Sequence, residues 1–448
     1  MDKELLLDNI GILFSEYGVN KRPISVNFRE MFPFLKGNER FSHSIHGYPA
    51  KLIPHIPYLF LHNATFINKG EVMLDPFCGS GTSLLEANLV GVNAFGADAN
   101  PLARIISDVK TTKIDKAKAI RLLETIKTEF SHIIDVNIPE FPNKDYWFPI
   151  NQQHDLASLF TAINKVCLGK YKRFFNLCFS SCLMKASYCD PRIAVPVKLN
   201  PNRYPDGSSK RNAVEGMLGK VEELDIISTF DKISQTNINR IVSLNSIEGL
   251  GETKIIAKDA RKLTTTLTSG TKLPNESIDM VLTSPPYASA QKYIRSSSLS
   301  LYWLNLLEGK TIVDLDNKNI GHENYKKSSI RLETVGITDA DEIIARIYKQ
   351  NSLRGKIVIN YLLEMKKALD ESVRVLKRGR YMILVIGNNN VCGHQFNTKQ
   401  YLSEYLNTKG MTLKLELIDD IKSYGLMTKR NKTANIITRE WILIFQKD

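Results

Sequence analysis

The stretch Asp75-Pro-Phe-Cys-Gly-Ser-Gly-Thr82 decides the fold of this 448-residue chain. It follows the short apolar run Glu71–Leu74, which is typical of a buried strand in a parallel sheet. Gly79 and Gly81 then allow a tight turn in which a ligand can approach the backbone closely. A strand that runs directly into a glycine turn predicts the start of a dinucleotide-type α/β fold.

A helix and a second strand are predicted directly after this turn. Thr82 is suited to cap the helix Ser83–Val90, and Gly91 is suited to end it. The second strand, Ala94–Ala97, is followed by Asp98. An acid at the end of that strand can hydrogen-bond both hydroxyls of a ribose, so the sequence predicts a cofactor that contains a nucleoside.

The turn differs from the Gly-x-Gly-x-x-Gly loop that binds a pyrophosphate. Asp75 stands at its start, where a carboxylate would repel phosphate and attract an amino or sulfonium group. This difference favours S-adenosylmethionine over a nicotinamide cofactor. The rest of the predicted cofactor loop consists of Pro76, Phe77, Cys78, Gly79, Ser80, Gly81 and Thr82.

A second informative stretch, Thr283-Ser-Pro-Pro-Tyr287, follows the predicted strand Ser277–Leu282. Pro285 and Pro286 end the strand and fix its backbone. The Ser284 hydroxyl and the Pro285 carbonyl can accept hydrogen bonds from an exocyclic amine, and the Tyr287 ring can stack on a flipped-out base. The predicted catalytic residues are therefore Ser284, Pro285, Pro286 and Tyr287. No strong general base is required, because the attacking amine loses its proton during or after the transfer.

A third element lies between the two loops. Thr253–Ala257 is strand-like, and Asp259 follows its end. An acid one strand further along the sheet is placed to hydrogen-bond the adenine amine of the cofactor. We therefore add Asp259 to the predicted cofactor-binding residues.

With these motifs the chain resembles site-specific DNA methyltransferases of restriction–modification systems that modify an exocyclic amine. The similarity covers about residues 40–110 and 250–310, and it extends to the flanks Phe41–Pro54 and Tyr293–Trp303. It implies a Rossmann-like, seven-stranded α/β sheet, S-adenosylmethionine as methyl donor and double-stranded DNA as substrate. It also allows for a cognate restriction endonuclease as a partner. In that family a loop that begins with serine, as at Ser284, usually accompanies methylation of cytosine N4.

Three other functions stay open. The cofactor loop precedes the catalytic loop by about 200 residues, whereas many enzymes with Ser-Pro-Pro-Tyr have the reverse order, so adenine-N6 methylation of DNA is the nearest alternative. An RNA or tRNA guanine-N2 methyltransferase has a similar cofactor loop, but usually an Asp-Pro-Pro-Tyr catalytic loop and a preceding RNA-binding domain. A non-catalytic DNA-binding subunit on the same scaffold is the third.

Composition agrees with a polyanionic partner. The chain has 60 Lys and Arg against 47 Asp and Glu, a net charge of +13. The N-terminal residues do not resemble a secretory leader and no apolar run is long enough to span a membrane, so a cytoplasmic location is expected. Cys178 and Cys182 lie on an apolar helical stretch and are predicted to be core residues. The histidine spacing matches no metal-ligand pattern, so no metal site is expected.

The predicted domains follow the order of the motifs. Residues 1–40 form a lead-in, 41–110 the first half of the methyltransferase domain and 251–448 the second half, with a variable region at about 309–356. Residues 111–250 form a mostly helical insertion, the candidate target-recognition region. Its irregular part is basic and is predicted to contact DNA through Lys198, Arg203, Lys210, Arg211 and Lys220.

The end of the chain is predicted to complete the sheet. Ile357–Lys377 has the periodicity of an amphipathic helix that ends at Gly379, and Tyr381–Ile386 is a buried strand. Leu413–Leu417 and Glu440–Phe445 fit a closing antiparallel pair. Between them, the basic run Lys429–Lys432 is predicted to touch the phosphate backbone.

Overall fold

A twisted, mostly parallel sheet organises the computed structural model, which describes residues 9–35, 40–49, 51–288, 293–420 and 438–448. In those residues one eight-stranded sheet has the order β1-β9-β10-β6-β5-β2-β3-β4, and β7 and β8 form a separate hairpin. The strands are β1 Ile24–Ser25, β2 Val72–Asp75, β3 Asn93–Ala97, β4 Thr253–Ala257, β5 Ile278–Thr283, β6 Leu376–Ile386, β7 Asn389–Val391, β8 His394–Phe396, β9 Met411–Asp420 and β10 Arg439–Lys447. Strands β2 to β6 are parallel, while β10 runs antiparallel to β6 and β9. The predicted Rossmann-like α/β fold and its closing antiparallel pair are confirmed.

The strand count corrects the prediction of seven. The additional strand is β1, which pairs in parallel with β9 through Ile24 and Ser25. The Val26 N–H extends the pairing by donating to the Ile418 carbonyl at 2.8 Å. A strand of two residues is too short to produce a periodic pattern, so the sequence showed only a lead-in at this place.

The helices fill the connections between strands. They are α1 Asn9–Asn20, α2 Phe28–Met31, α3 His55–Leu61, α4 Thr82–Leu89, α5 Pro101–Thr111, α6 Lys116–His132, α7 Lys144–Trp147, α8 Ile150–Val166, α9 Gly169–Lys185, α10 Ser209–Glu222, α11 Ile226–Val242, α12 Tyr293–Ser296, α13 Ser298–Trp303, α14 Ile312–Asp316, α15 Thr338–Gln350, α16 Ser352–Val375 and α17 Thr398–Asn407. Across the described ranges, none of them is both long and apolar enough to cross a bilayer.

Both faces of the sheet are buried, and β6 shows the alternation that results. Met382, Leu384 and Ile386 belong to one hydrophobic cluster, which includes α16. Ile383 and Val385 belong to the opposite cluster, which includes α1 and α3. Because successive side chains of a strand point to opposite faces, a continuous apolar run supplies both clusters.

The segment between α5 and β4 is helical and forms a third cluster of its own. Helices α6, α8, α9 and α11 pack there against α5, which follows β3, and against α12 and α13, which follow the catalytic loop. Cys178 and Cys182 are fully buried in this cluster, as predicted, and burial raises the pKa of both thiols. The segment is thus anchored beside both loops.

Helix α16 differs from its predicted bounds. It begins at Ser352, because the Asn351 side chain accepts a hydrogen bond from the Arg354 N–H and caps the helix. It ends at Val375, and β6 begins with the next residue, so Gly379 lies inside a strand. Gly379 has a φ of +71°, within the stretch where the pairing of β6 with β5 shifts register.

Candidate cofactor and catalytic site

The cofactor loop lies between β2 and α4, and its shape depends on two glycines. Gly79 and Gly81 have φ angles of +51° and +72°. A Cβ atom at Gly81 would lie 2.8–2.9 Å from three atoms of Ser107 in α5, so only glycine fits there. Gly81 itself occupies the cap position of α4 in a left-handed conformation, without a side-chain cap. The predicted capping by Thr82 is therefore wrong.

Asp75 connects the cofactor loop to the catalytic strand β5 through hydrogen bonds. Its carboxylate accepts hydrogen bonds from the Thr283 hydroxyl at 2.6 Å, from the Phe77 N–H at 3.1 Å and from the Ser83 hydroxyl. Burial raises its pKa to about 6, against the opposing effect of these donors. Asp75 does not line the cavity above the loop. The structure thus gives this acid a positioning role between the cofactor loop and the catalytic strand.

Asp98 lies at the carboxyl end of β3 and does line the cavity. Its carboxylate accepts hydrogen bonds from the Gly79 N–H at 2.9 Å and the Asn100 N–H at 2.8 Å. Burial raises its pKa. These two backbone donors fix the carboxylate against the glycine loop, where it faces the cavity.

Asp259 lines the same cavity from the end of β4. Arg261 holds its carboxylate through the guanidinium, with both nitrogen–oxygen distances at 2.9 Å. The same guanidinium donates to Glu364 and to the Lys318 carbonyl, each at 2.8 Å. Arg261 therefore fixes Asp259 relative to α16 and to the segment that follows α14.

The catalytic loop begins where β5 ends. Ser284 and Pro286 line the cavity together with Asp98 and Asp259, whereas Pro285 and Tyr287 do not. The Tyr287 hydroxyl donates to Glu440 in β10 at 2.7 Å, and its ring packs against the cluster around α16. Burial and the neighbouring Glu440 carboxylate hold the tyrosine pKa well above its usual value.

The remaining loop residues divide into two groups. Pro76, Phe77 and Gly79 line the cavity. Four further predicted residues support the loop from within the protein and do not line it: Cys78, Ser80, Gly81 and Thr82. The Cys78 sulfur lies 3.8 Å from the Ser107 hydroxyl, and burial raises the pKa of this thiol well above its usual value. A thiol of that kind is not poised as a nucleophile.

Two tyrosines that were not predicted as site residues form one wall of the cavity. The rings of Tyr48 and Tyr293 are nearly parallel, at 17°, with centroids 6.5 Å apart. Asn100, the cap of α5, donates to the Tyr48 hydroxyl at 3.4 Å and to Ser297 at 2.8 Å. Both tyrosines lie in the two flanks that resemble the family, which was the available signal for them.

Part of the cavity lining comes from the variable region. Lys318, Asn319 and Ile320 line the cavity together with the glycine loop. Nothing in their sequence indicates this position, because it follows from the contact between Arg261 and the Lys318 carbonyl. Pro101 and Leu102, the first residues of α5 after Asp98, are buried and do not line the cavity.

Fold and site together define a class. The sheet carries a glycine loop after β2, an acid after each of β3 and β4, and a polar Pro-Pro loop after β5, on the other side of β2. This arrangement is that of an S-adenosylmethionine-dependent methyltransferase. The lining fits this cofactor, since it combines two carboxylates for hydroxyl and amino groups with aromatic and apolar side chains for an adenine ring. In the part of the chain that the structure describes, no three His, Cys, Asp or Glu side chains are arranged to hold a metal ion.

Comparisons with known proteins agree with this class. A family described as RMKL-like, methyltransferase domain, matches residues 45–131. Type II methyltransferase M.MvaI of Kocuria varians is 26% identical over 381 residues, covering 80% of this chain and 79% of the relative. Type II methyltransferase M.BsoBI of Geobacillus stearothermophilus is 27% identical over 269 residues, covering 54% of this chain and 49% of the relative.

A shorter match has another name. The tRNA (guanine(10)-N2)-dimethyltransferase of Methanothermobacter thermautotrophicus is 41% identical over 51 residues, only 11% of this chain and 15% of the relative. The chain is thus similar to Type II methyltransferases over most of its length, and S-adenosylmethionine is its methyl donor. The predicted resemblance to restriction–modification methyltransferases is confirmed, while the names of the two Type II relatives specify no target base.

Proposed function

We propose that this protein transfers a methyl group from S-adenosylmethionine to the N4 amine of a flipped-out cytosine in double-stranded DNA. The observation that carries the proposal is that Ser284 lines the same cavity as Asp98 and Asp259. A serine that can accept a hydrogen bond from an exocyclic amine then faces the cofactor pocket. The similarity to Type II methyltransferases supports DNA as the substrate and a restriction–modification system as the setting.

The residues that would hold the cofactor come from several parts of the chain. Asp98 would bind the ribose hydroxyls and Asp259 the adenine amine, and each carboxylate is held by the donors described above. Gly79 lets the backbone approach the ligand closely. Lys318–Ile320 and the Tyr48–Tyr293 pair, which also line the cavity, would contact it as well.

S-Adenosylmethionine supplies an electrophilic methyl group when it is bound. The Ser284 hydroxyl and the Pro285 carbonyl accept hydrogen bonds from the cytosine amine and direct its lone pair into the cavity. Tyr287 offers its ring to the base, with its hydroxyl fixed by Glu440. The hydrogen bond from Thr283 to Asp75 fixes the catalytic loop relative to the cofactor loop. Orientation of the amine toward the methyl group then supplies most of the rate acceleration. The amine proton leaves to water during or after the transfer.

The test is nucleoside mass spectrometry on DNA from a methylation-free host that expresses the chain. We expect N4-methylcytosine with the wild type and none with Ser284→Ala, whose S-adenosylmethionine affinity should be unchanged. Detection of N6-methyladenine instead would support the assigned cofactor pocket and show that adenine is the target base. Absence of both modifications in DNA, with a soluble protein that binds the cofactor, would contradict DNA methylation and direct the same assay to RNA.

Three expectations about the setting stay predictions. They are a cognate restriction endonuclease, a cytoplasmic location and the domain boundaries at residues 40, 110 and 250. The basic run Lys429–Lys432, predicted to touch phosphates, lies outside the described residues.

A further inference from the structure

A groove on the helical segment lies apart from the cofactor cavity. Its floor and walls come from α7, from the chain between Pro196 and Arg203, from α10 and from α12. It contains three cationic side chains, Lys198, Arg203 and Arg295, and its described lining includes no acidic residue. Aromatic side chains stand beside these cations, with Tyr146 51% exposed.

The cations of the groove are available for a ligand. Arg203 and Arg295 are exposed, and neither forms an ion pair with any residue that the structure describes. The Asp190 carboxylate, whose pKa is lowered chiefly by Arg192 and to a smaller extent by Arg203, already accepts hydrogen bonds from Arg192 at 2.8 and 2.7 Å. Two unpaired guanidinium groups on one surface favour an anionic partner.

A hairpin closed by two backbone hydrogen bonds places Lys198 in this groove. The backbone pairs Asp190 with Val197 at 2.8 Å and Leu199 with Tyr188 at 2.8 Å. The Lys198 ammonium lies 4.4 Å from the Tyr146 ring centroid and 4.7 Å from that of Tyr188. The rings orient the ammonium but accept none of its three N–H donors in a conventional hydrogen bond, which leaves these donors for a phosphate oxygen.

The groove and the cofactor cavity border the same short helix. Helix α12 contributes Tyr293 to the cavity and Arg295 to the groove. Residues two apart on a helix point to nearly opposite sides, although their Cα atoms are only about 5–6 Å apart. The groove and the cavity therefore lie on two sides of α12, where a nucleic acid with one nucleotide in the catalytic site can reach the groove with its neighbouring phosphates.

We propose that this groove binds the sugar–phosphate backbone of the DNA duplex beside the flipped-out base. The proposal rests on the proposed function, since it takes the catalytic site to act on DNA. It narrows the predicted DNA contact to Lys198 and Arg203, and it adds Arg295. Arg211, by contrast, is neutralised by Asp206 and Glu215, and neither it, Lys210 nor Lys220 lines the groove.

The test is the salt dependence of DNA binding by the full chain. The variant is Arg203→Gln/Arg295→Gln, and the matched control is Arg121→Gln/Lys232→Gln, which removes two exposed charges from α6 and α11 of the same segment. The probe is a fluorescein-labelled duplex of about 30 base pairs and arbitrary sequence, since the contact is to the backbone. Binding is followed by anisotropy from low to moderate salt.

We expect the slope of log K against log salt to become shallower by about 1.8 in the groove variant, about 0.9 for each lost phosphate contact. The control variant should keep the wild-type slope, and calorimetry should show the same S-adenosylmethionine affinity in all three proteins. A groove variant with the wild-type slope and affinity would overturn the proposal. So would single-stranded RNA of equal length that displaces the duplex at equal concentration.

The two proposals fail separately. If wild-type protein leaves no methylated base in host DNA but the groove variant still loses slope, the groove stands and the catalytic assignment falls. If methylated DNA appears and the slope is unchanged, the catalytic assignment stands and the groove falls.

Discussion

Replacing Gly81 with alanine should lower both the stability of the protein and its affinity for S-adenosylmethionine. Gly81 has a φ of +72°, and alanine in that left-handed conformation costs about 1–2 kcal/mol. The added Cβ would also lie 2.8–2.9 Å from the Cα, Cβ and Oγ atoms of Ser107. Overpacking of this kind costs about 1–3 kcal/mol, so the total is about 2–5 kcal/mol. Trimming Ser107 would not remove the clash, because its Cα is itself one of the three atoms.

The strain acts on the cofactor loop directly. To relieve it, α4 must move away from α5, which weakens the 2.9 Å hydrogen bond from the Ser107 hydroxyl to the Gly79 carbonyl. Gly79 in turn donates to Asp98, so the predicted ribose ligand shifts with it. We therefore expect Gly81→Ala to lower both the thermal midpoint and the affinity for S-adenosylmethionine.

Gly70→Ala is the matched control for this variant. Gly70 has a φ of +87°, but a Cβ there would meet no atom within 4 Å. It carries the backbone cost alone, and calorimetry should show wild-type affinity for the cofactor. The reasoning would be refuted if Gly81→Ala matched Gly70→Ala in thermal midpoint and in cofactor affinity.

Substitutions at three further residues test other contacts. Thr283→Val removes the hydrogen bond to the buried Asp75 carboxylate, which is worth about 1.5–3 kcal/mol. The rate of single-turnover methylation should fall about 10-fold or more, while calorimetry shows little change in cofactor affinity. Equal losses in rate and affinity would contradict the positioning role. Tyr287→Phe keeps the ring and loses the hydroxyl group with its hydrogen bonds to Glu440 and Ser284, so we expect a lower thermal midpoint with methylation retained. Tyr287→Ala should lose methylation, and wild-type turnover in the alanine variant would argue against base stacking. Burial lowers the His46 pKa from 6.5 to about 4, so between these values the unfolded chain binds more protons and stability falls as the pH falls, by up to about 3 kcal/mol at pH 4. His46→Gln should lack this loss, and melting curves from pH 7 to pH 4 that run parallel for the two proteins would exclude it.

Site residues that directly follow a strand were predictable. Asp98, Asp259 and Ser284 each stand just after a short apolar run, and the carboxyl ends of parallel strands meet at one edge of the sheet. Chain order alone therefore brings these three side chains to one cavity. The last two strands were also predictable, because apolar and polar residues alternate along the first of them and the second is a continuous apolar run in the sequence.

Residues that reach the site through packing were not predictable. Tyr48 lies in a flank that resembles the family, but no pattern around it places its ring in the cavity. Lys318 is held beside the cavity by the hydrogen bond from Arg261 to its carbonyl, which no local pattern indicates. Asp75 was predicted as a cofactor contact. Its donors Ser83 and Thr283 lie 8 and 208 residues away, so only the folded chain shows that its carboxylate is already engaged.

The two-residue strand β1 has a consequence for how much of the chain can be removed. An uncovered edge strand offers its free N–H and C=O groups to strands of other molecules, which leads to aggregation. β1 occupies part of the edge of β9, and α1 and α2 bury Ile10, Tyr17 and Phe28 against the same sheet. A fragment that began at residue 40 would expose both that edge and that apolar surface. Residues 9–35 therefore protect this edge and this apolar surface from aggregation, and an expression fragment should retain them.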